Sequence, residues 1–223
     1  MQDYSPDMIE NNDGANRRSL KTDFMNKRRA ARMRQFCERM RPFPGMRVLD
    51  LGGSVSLWKH VDVPLKLTIL NLEVDWIAQE EKSQHETTIL QGDACDVHQY
   101  PDRQFDLVFS NSVIEHVGLE PKQAAFAHEA RRLGQDYWIQ TPSRWFPIEA
   151  HCGMPFWWFY PDAVRRWFIN HWRPRLPAYT DMVEGTRVLR LGDLRSLFPD
   201  GQLYLEFAYG LLKSYTVYRT SRR

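Results

Sequence analysis

The sequence contains only three cysteines in 223 residues. Cys37, Cys95 and Cys152 are odd in number, lie far apart and show no CxxC spacing, which argues against a disulfide framework. The sequence also lacks an uninterrupted run of the ~18 apolar residues that a membrane-spanning helix needs. Its first residues show neither the basic nor the apolar region of a secretory signal. We therefore expect a cytoplasmic chain without a membrane span.

A charge excess of one sign is absent from the chain as a whole, because 30 Lys and Arg residues offset 28 Asp and Glu residues. The net charge of +2 gives no overall signal for nucleic acid or an anionic membrane. The basic residues are unevenly placed, however, since residues 17–41 hold ten of them and only two acids. The pattern predicts a basic helix from Thr22, with one apolar face made of Met33, Phe36, Cys37 and Met40.

Short apolar runs recur through the middle of the chain and predict five strands, at residues 48–51, 67–72, 87–90, 105–109 and 137–140. Helical or loop crossovers between them indicate a parallel sheet with helices on both faces. Two alternating runs, 203–209 and 212–218, predict an antiparallel pair hinged at Gly210. The predicted fold class is α/β, a Rossmann-like doubly wound sheet that is mostly parallel and ends in an antiparallel hairpin.

Polar residues and glycines follow these strands, at the sheet edge where such folds bind ligands. Asp50 ends the first strand just before Gly52 and Gly53, and Glu73 follows the second strand. A glycine turn admits a ligand to the backbone, and an acid about 20 residues further on accepts hydrogen bonds from ribose hydroxyls. Asp93, after the third strand, is placed to accept from an adenine amine. Because the third glycine of GxGxxG is absent, a nucleoside with a non-phosphate appendage fits better than a dinucleotide.

The sequence contains, in this order, Val48–Gly53, Glu73, Gly92–Ala94, Phe105–Val117 and the closing hairpin. With these segments in this order and at this spacing, the chain resembles the class I S-adenosylmethionine-dependent methyltransferases, particularly the small bacterial members that act on small molecules. The resemblance implies a seven-stranded sheet and S-adenosylmethionine (SAM) as cofactor. It implies that Gly52 and Gly53 contact the methionine part of SAM and that Glu73 holds the ribose. It also implies that Asp93 and Ala94 contact the adenine and that Ser110 and Asn111 line the reacting end. Asp50 completes the expected cofactor-binding set.

Methyl transfer is an in-line displacement that requires alignment, exclusion of water and, for some acceptors, removal of a proton. His116 follows the fourth strand, next to Glu115, and is a candidate catalytic residue. Glu149 and His151 follow the fifth strand and are also candidates, because residues two apart in extended backbone point the same way and a carboxylate can orient an imidazole. Each also suits a structural role. The spacing of these residues and Cys152 matches no standard zinc pattern, so no metal is expected.

Residues 145–172 hold ten aromatic side chains. We interpret this segment as a substrate cap, because aromatic rings cover a large apolar area and can hold a sulfonium by cation–π contact. Within it, Pro161 is expected to open a helix that turns Ala163, Val164, Trp167 and Phe168 inward. The chain then divides into a tail and basic helix, a SAM-binding core, an aromatic cap and a hairpin that completes the sheet, over residues 1–44, 45–145, 146–200 and 201–223.

The leading hypothesis is a SAM-dependent methyltransferase for a small hydrophobic or aromatic acceptor, with O-methylation ahead of C- or N-methylation. One alternative is RNA methylation guided by the basic helix over residues 22–41. Against it, Ser110–Val113 is not the Asn/Asp-Pro-Pro-aromatic sequence typical of exocyclic-amine methylases, and nucleic acid is not the expected partner. The other alternative is a methyltransferase-like scaffold without activity, because Ser54, Val55 and Ser56 replace the later glycines of the family loop. The sequence does not indicate an oligomeric state.

Overall fold

The structure is a computed structural model that describes residues 26–74, 83–149 and 151–221. The described part of the first helix, α1, covers residues 26–40, and its predicted start at Thr22 lies outside the described residues. Met33, Phe36 and Met40 are fully buried, which confirms most of the predicted apolar face. Cys37 is only half-buried, because it lies at the margin of that face.

Seven strands form one sheet: β1 (Arg47–Leu51), β2 (Lys66–Asn71), β3 (Glu86–Gln91), β4 (Phe105–Asn111), β5 (Gly134–Pro142), β6 (Gln202–Ala208) and β7 (Leu211–Arg219). Their order across the sheet is β3-β2-β1-β4-β5-β7-β6. The first five strands pair in parallel, and β7 pairs antiparallel with both β5 and β6. This arrangement confirms the predicted mostly parallel α/β sheet with its antiparallel C-terminal hairpin.

Within the described residues, five further helices connect or flank the strands: α2 (Val55–Trp58), α3 (Glu120–Leu133), α4 (Asp162–Trp172), α5 (Pro177–Gly185) and α6 (Leu191–Leu197). A 3-10 turn at Trp157–Phe159 precedes α4. Pro161 occupies the N-cap position of α4, as predicted, and Pro121 lies in the first turn of α3. Helix α5 has no clear signal in the sequence, because it buries only Thr180 and Val183 and so lacks a long apolar period.

Helices cover both faces of the sheet and create two hydrophobic clusters. On one face, Phe36 of α1 meets the rings of Trp58, Phe109 and Trp138 edge to face, at centroid distances of 5.7, 5.3 and 5.6 Å. Edge-to-face pairs are worth roughly 0.5–1.5 kcal/mol each beyond their buried area. The other face is covered by α3 and α6, with buried residues that include Phe126, Ala130, Leu133, Leu194 and Phe198. The basic helix is therefore anchored on the sheet by aromatic packing.

The aromatic segment differs from the prediction in how it packs. Helix α4 contains no buried residue, and Val164 and Trp167 are 40% and 60% exposed. Ala163 is exposed as well, so the expected inward face of α4 was wrong; Phe168 is only partly buried. The reason is that the rings of this segment pack on one another, as in the stacked pair Trp157 and Trp172 at 5.7 Å, instead of on the sheet. No helix in the described part of the chain is both long enough and apolar enough to cross a membrane.

Candidate active site

A cavity of about 460 Å³ opens at the carboxyl ends of β1 to β4. Its walls come from the turn after β1, the ends of β2 and β3, and the loop after β4. The lining residues are Gly52, Leu70, Asn71, Leu72, Glu73, Gly92, Asp93, Ala94, Ser112, Val113, His116 and Val117. The sheet topology thus brings together five of the residues singled out from the sequence, which are Gly52, Glu73, Asp93, Ala94 and His116.

The turn after β1 depends on its two glycines. Gly52 has a φ of +76°, and a Cβ there would lie 2.6 Å from Cγ2 of Val113. A Cβ on Gly53 would lie 1.7 Å from Oδ2 of Asp50, closer than any real contact. The amide of Asn71 holds the turn by donating to the carbonyl of Gly53 at 2.9 Å. The turn therefore exposes bare backbone to the cavity and tolerates no side chain.

Asp50 lies beneath this turn and does not line the cavity. Its carboxylate is fully buried and accepts a hydrogen bond from the indole Nε1 of Trp58 at 2.7 Å. Its second oxygen, Oδ1, has no hydrogen-bond partner among the described residues. Burial raises the pKa of Asp50 to about 7, although the Trp58 hydrogen bond acts in the opposite direction. Asp50 thus supports the glycine turn from below.

Two carboxylates face the cavity from the ends of neighbouring strands. Glu73 is exposed at the end of β2. Asp93 accepts hydrogen bonds from the backbone N–H of Cys95 at 2.8 Å and from Nζ of Lys122 at 3.0 Å. Burial by itself raises the pKa of Asp93, but these hydrogen bonds and the lysine charge hold it below its usual range. Both side chains can therefore accept hydrogen bonds from a ligand.

Ser110 and Asn111 do not line the cavity. The hydroxyl of Ser110 is buried and donates to the carbonyl of Leu51 at 2.9 Å, and Oδ1 of Asn111 accepts from the Arg32 guanidinium at 2.7 Å. The reason is that β4 extends to Asn111, so both residues belong to the strand and bond to its surroundings. Ser112, just past the strand, lines the cavity in their place.

A group of acidic and imidazole side chains, here called the His-Glu cluster, adjoins the cavity and consists of Glu115, His116, Glu149 and His151. Oε1 of Glu149 lies 2.7 Å from Nδ1 of His151, so the side-chain contact expected from the sequence is present. Oε2 of Glu149 accepts the backbone N–H groups of His151 and Cys152, each at 2.6 Å. Glu149 is buried and fixes the orientation of the His151 ring.

The two histidine rings lie edge to face, with centroids 4.5 Å apart, and Nδ1 of His116 lies 3.2 Å from the hydroxyl of Thr186. Glu115 is completely buried behind them. Its Oε2 accepts from the hydroxyl of Thr141 at 3.0 Å, whereas its Oε1 has no partner within the described residues. The loops after β4 and β5 are thus joined through these side chains.

The cluster shifts the pKa of its members in different directions. Burial raises the pKa of Glu115 to about 7, and burial together with the charge of His151 lowers that of His116 to about 4. Burial lowers the pKa of His151, but the hydrogen bond and charge of Glu149 outweigh it and leave this pKa raised. Burial raises the pKa of Glu149, and its hydrogen bonds reverse this effect. His116 is therefore neutral near pH 7 and open to the cavity.

Several site residues carry no local signal in the sequence. Lys122, which contacts Asp93, lies on the exposed side of α3, and Thr186, which contacts His116, follows α5. Thr186 and His116 are separated by 70 residues, so only the three-dimensional fold brings them together. Ligands bind at the carboxyl ends of parallel strands, and this rule identifies the cavity residues that follow each strand. It does not identify residues that helices and distant loops contribute.

Comparisons with known proteins agree with this geometry. Residues 49–136 match the family model described as a methyltransferase domain. The chain is 31% identical over 116 residues to the cyclopropane-fatty-acyl-phospholipid synthase of Escherichia coli K12. That match covers 50% of this chain and only 29% of the synthase, so the chain corresponds to less than a third of the curated relative.

Solved structures share the fold at low sequence identity. A protein of Pyrococcus horikoshii OT3 has a TM-score of 0.52 and 16% identity, over 83% of this chain and 85% of that one. The magnesium protoporphyrin IX methyltransferase of Synechocystis PCC 6803, solved with bound S-adenosylhomocysteine (SAH), has a TM-score of 0.52 and 12% identity, over 87% and 83% of the two chains. Residues 49–136 therefore match a methyltransferase domain, and the strand order agrees with the resemblance to class I SAM-dependent methyltransferases.

Proposed function

We propose that this protein transfers a methyl group from SAM to a small acceptor, and that the cavity at the strand ends holds the cofactor. The observation that carries the proposal is the presence of a bare glycine turn, two carboxylates and His116 around one cavity. In this arrangement the methionine part lies along Gly52 and Gly53, and Glu73 accepts from the ribose hydroxyls. The adenine contacts Asp93 and Ala94. The match of residues 49–136 to a methyltransferase domain supports the choice of cofactor.

Three of the expected cofactor residues act through their neighbours in this proposal. Asp50 supports the glycine turn, since its carboxylate lies beneath Gly53. Ser110 ties β4 to the end of β1 through the carbonyl of Leu51, and Asn111 is held by Arg32. These contacts fix the spacing between the turn and the loop that carries His116, where the methyl group reacts.

His116, His151 and Glu149 are the proposed catalytic side chains. The acceptor approaches the sulfonium methyl beside His116, which lines the cavity. For a hydroxyl acceptor, the oxygen bonds to the methyl carbon while the carbon–sulfur bond breaks and sulfur keeps the electron pair, leaving SAH. The hydroxyl proton passes to the neutral ring of His116, which lines the cavity, and from there to water. Glu149 acts by orienting His151.

A hydrophobic or aromatic acceptor remains the proposal, with oxygen as the methylated atom. It is supported by exposed rings on the aromatic segment, such as Trp145 and Phe159, whose centroids are 5.1 Å apart. An RNA acceptor is not proposed, because α1 uses part of its basic surface within the protein. Arg32 pairs with Glu206 at 2.9 Å, and the guanidinium of Arg39 lies 4.2 Å from the ring centroid of Tyr204.

The test compares nucleotide ligands by equilibrium dialysis with the purified chain. SAM and SAH are expected to bind at one site per chain, and NAD is expected not to bind, because the turn lacks the third glycine of the dinucleotide fingerprint. Binding of NAD in preference to SAM, or binding of neither SAM nor SAH by a folded chain, would refute the cofactor assignment. Binding of SAM without methyl transfer to any small-molecule extract would support the scaffold alternative instead.

A further inference from the structure

The His-Glu cluster has a second feature, which is the convergence of metal-binding atoms. One carboxylate oxygen of Glu115 and one ring nitrogen of each of His116 and His151 all lie within 4.8 Å of one another. Two imidazoles and a carboxylate form a common ligand set for zinc and related divalent ions. The sequence spacing conceals this set, because Glu115 and His116 come from the loop after β4 and His151 from the loop after β5.

Both histidines are held in the manner of metal ligands. Nδ1 of His151 contacts the carboxylate of Glu149 at 2.7 Å, and Nδ1 of His116 lies 3.2 Å from the hydroxyl of Thr186. A metal-binding histidine usually engages its other ring nitrogen with a carboxylate or another polar group, which fixes the ring and its tautomer. No further hydrogen bond to either ring is found among the described residues, so we assign the Nε2 atom of each ring to the cation.

Glu115 supplies an independent observation. Its side chain has no exposed surface, and its Oε1 has no hydrogen-bond partner in residues 26–74, 83–149 and 151–221. A buried carboxylate oxygen without a partner is costly, so such atoms normally pair with a donor or a cation. A divalent cation between Glu115 and the two histidines satisfies this oxygen.

The distances permit coordination after small side-chain rotations. Zinc binds nitrogen and oxygen ligands at about 2.0–2.2 Å, which places neighbouring ligands of a tetrahedral site roughly 3.4 Å apart. The three atoms already lie within 4.8 Å of each other. His116 also lines the cavity, so coordination positions not taken by the protein face the place proposed for the acceptor.

We propose that Glu115, His116 and His151 bind one divalent cation of the zinc type, with Glu149 and Thr186 as positioning residues. The role of this cation in the reaction rests on the proposed methyl transfer, but its binding does not. A hydroxyl acceptor coordinated at the open position loses its proton to water more readily, because the cation stabilises the alkoxide or phenolate. The imidazoles then serve as ligands, and the cation assists the loss of the proton.

The experiment titrates the chelator-treated wild-type chain with cobalt(II) and then with zinc(II). We expect one cobalt per chain, with visible absorption from a low-coordinate site, and its displacement by one equivalent of zinc. His151→Ala and Glu115→Gln are expected to bind cobalt at least 100-fold more weakly, and Glu149→Gln roughly 10–100-fold more weakly. His98→Ala is the matched control, because His98 is an exposed histidine beside Asp96 and should leave affinity unchanged.

X-ray absorption of the zinc-loaded wild type gives a second test that needs no variant, so a substitution that unfolds the chain does not leave the question open. The expected spectrum contains imidazole scattering and ligands at about 2.0–2.1 Å. Absence of a one-to-one site, or equal affinity in His151→Ala and the wild type, would overturn the proposal. SAH binding is measured on the same samples: binding of SAH without cobalt rejects only the metal site, and binding of cobalt without SAH rejects only the cofactor assignment.

Discussion

Glu73 offers the sharpest test of the cofactor geometry, because it faces the cavity and is exposed. No ion pair or hydrogen bond joins its side chain to the rest of the described structure, so Glu73→Ala should leave folding intact. If the carboxylate accepts from two ribose hydroxyls, the substitution removes two charge-assisted hydrogen bonds. Each is worth about 1.5–3 kcal/mol, and exposure favours the lower end of this range.

The expected loss is thus about 3 kcal/mol, or roughly 100-fold in the affinity for SAH, since each 1.4 kcal/mol corresponds to a factor of ten. Glu73→Gln keeps one acceptor oxygen without the charge and should lose about tenfold. Isothermal titration calorimetry with SAH measures all three proteins. Glu86→Ala is the matched control, because Glu86 is an exposed acid at the opposite end of β3. Equal affinities of Glu73→Ala and Glu86→Ala would refute the ribose assignment.

Three further predictions concern the support of the site. Gly53→Ala should lower the free energy of unfolding, measured by thermal denaturation, by about 2 kcal/mol or more, because its Cβ would overlap the Asp50 carboxylate. Gly192→Ala should not, because a Cβ at Gly192 would have no neighbouring atom within 4 Å. Since the folded-state pKa of Asp50 is about 7 and its ordinary value is 3.8, the folded state holds this proton more tightly than the unfolded state. Wild-type stability in urea should therefore fall between about pH 4 and pH 7 relative to Asp50→Asn, by up to about 4 kcal/mol, and parallel pH profiles would contradict the shift. Phe36→Ala should cost about 3–5 kcal/mol in chemical unfolding, because it empties a fully buried aromatic cluster, and Phe207→Ala, at an exposed ring, should cost far less.

The sheet is readable from the sequence because each parallel strand is short, apolar and followed by polar residues. The errors occur where tertiary contacts decide a boundary. Strand β5 begins at Gly134 and not at Tyr137, where its apolar run predicts a start, because the strand follows α3 directly and includes polar Gln135 and Asp136. The helical spacing of apolar residues, with a period of 3.6, identifies the amphipathic face of α4 but does not indicate what this face packs against. In the structure, the face meets solvent and neighbouring aromatic rings.

The candidate site is readable to a lesser degree. Strand-end positions predict Glu73 and Asp93, since they depend only on where β2 and β3 stop. Ser110 and Asn111 do not line the cavity because β4 continues through them, and their contact with the cofactor stays a prediction. The convergence of Glu115 with His151 depends on the path of two loops and cannot be deduced from spacing along the chain.

Methyl transfer itself is tested by following a radiolabelled methyl group from SAM into the small-molecule fraction of a cell extract. The wild-type chain is expected to label an acceptor and to release SAH in equal amount, and Glu73→Ala is expected to label it far more slowly at the same SAM concentration. No label above the level without protein, from a wild-type chain that is folded and binds SAM, would contradict the claim.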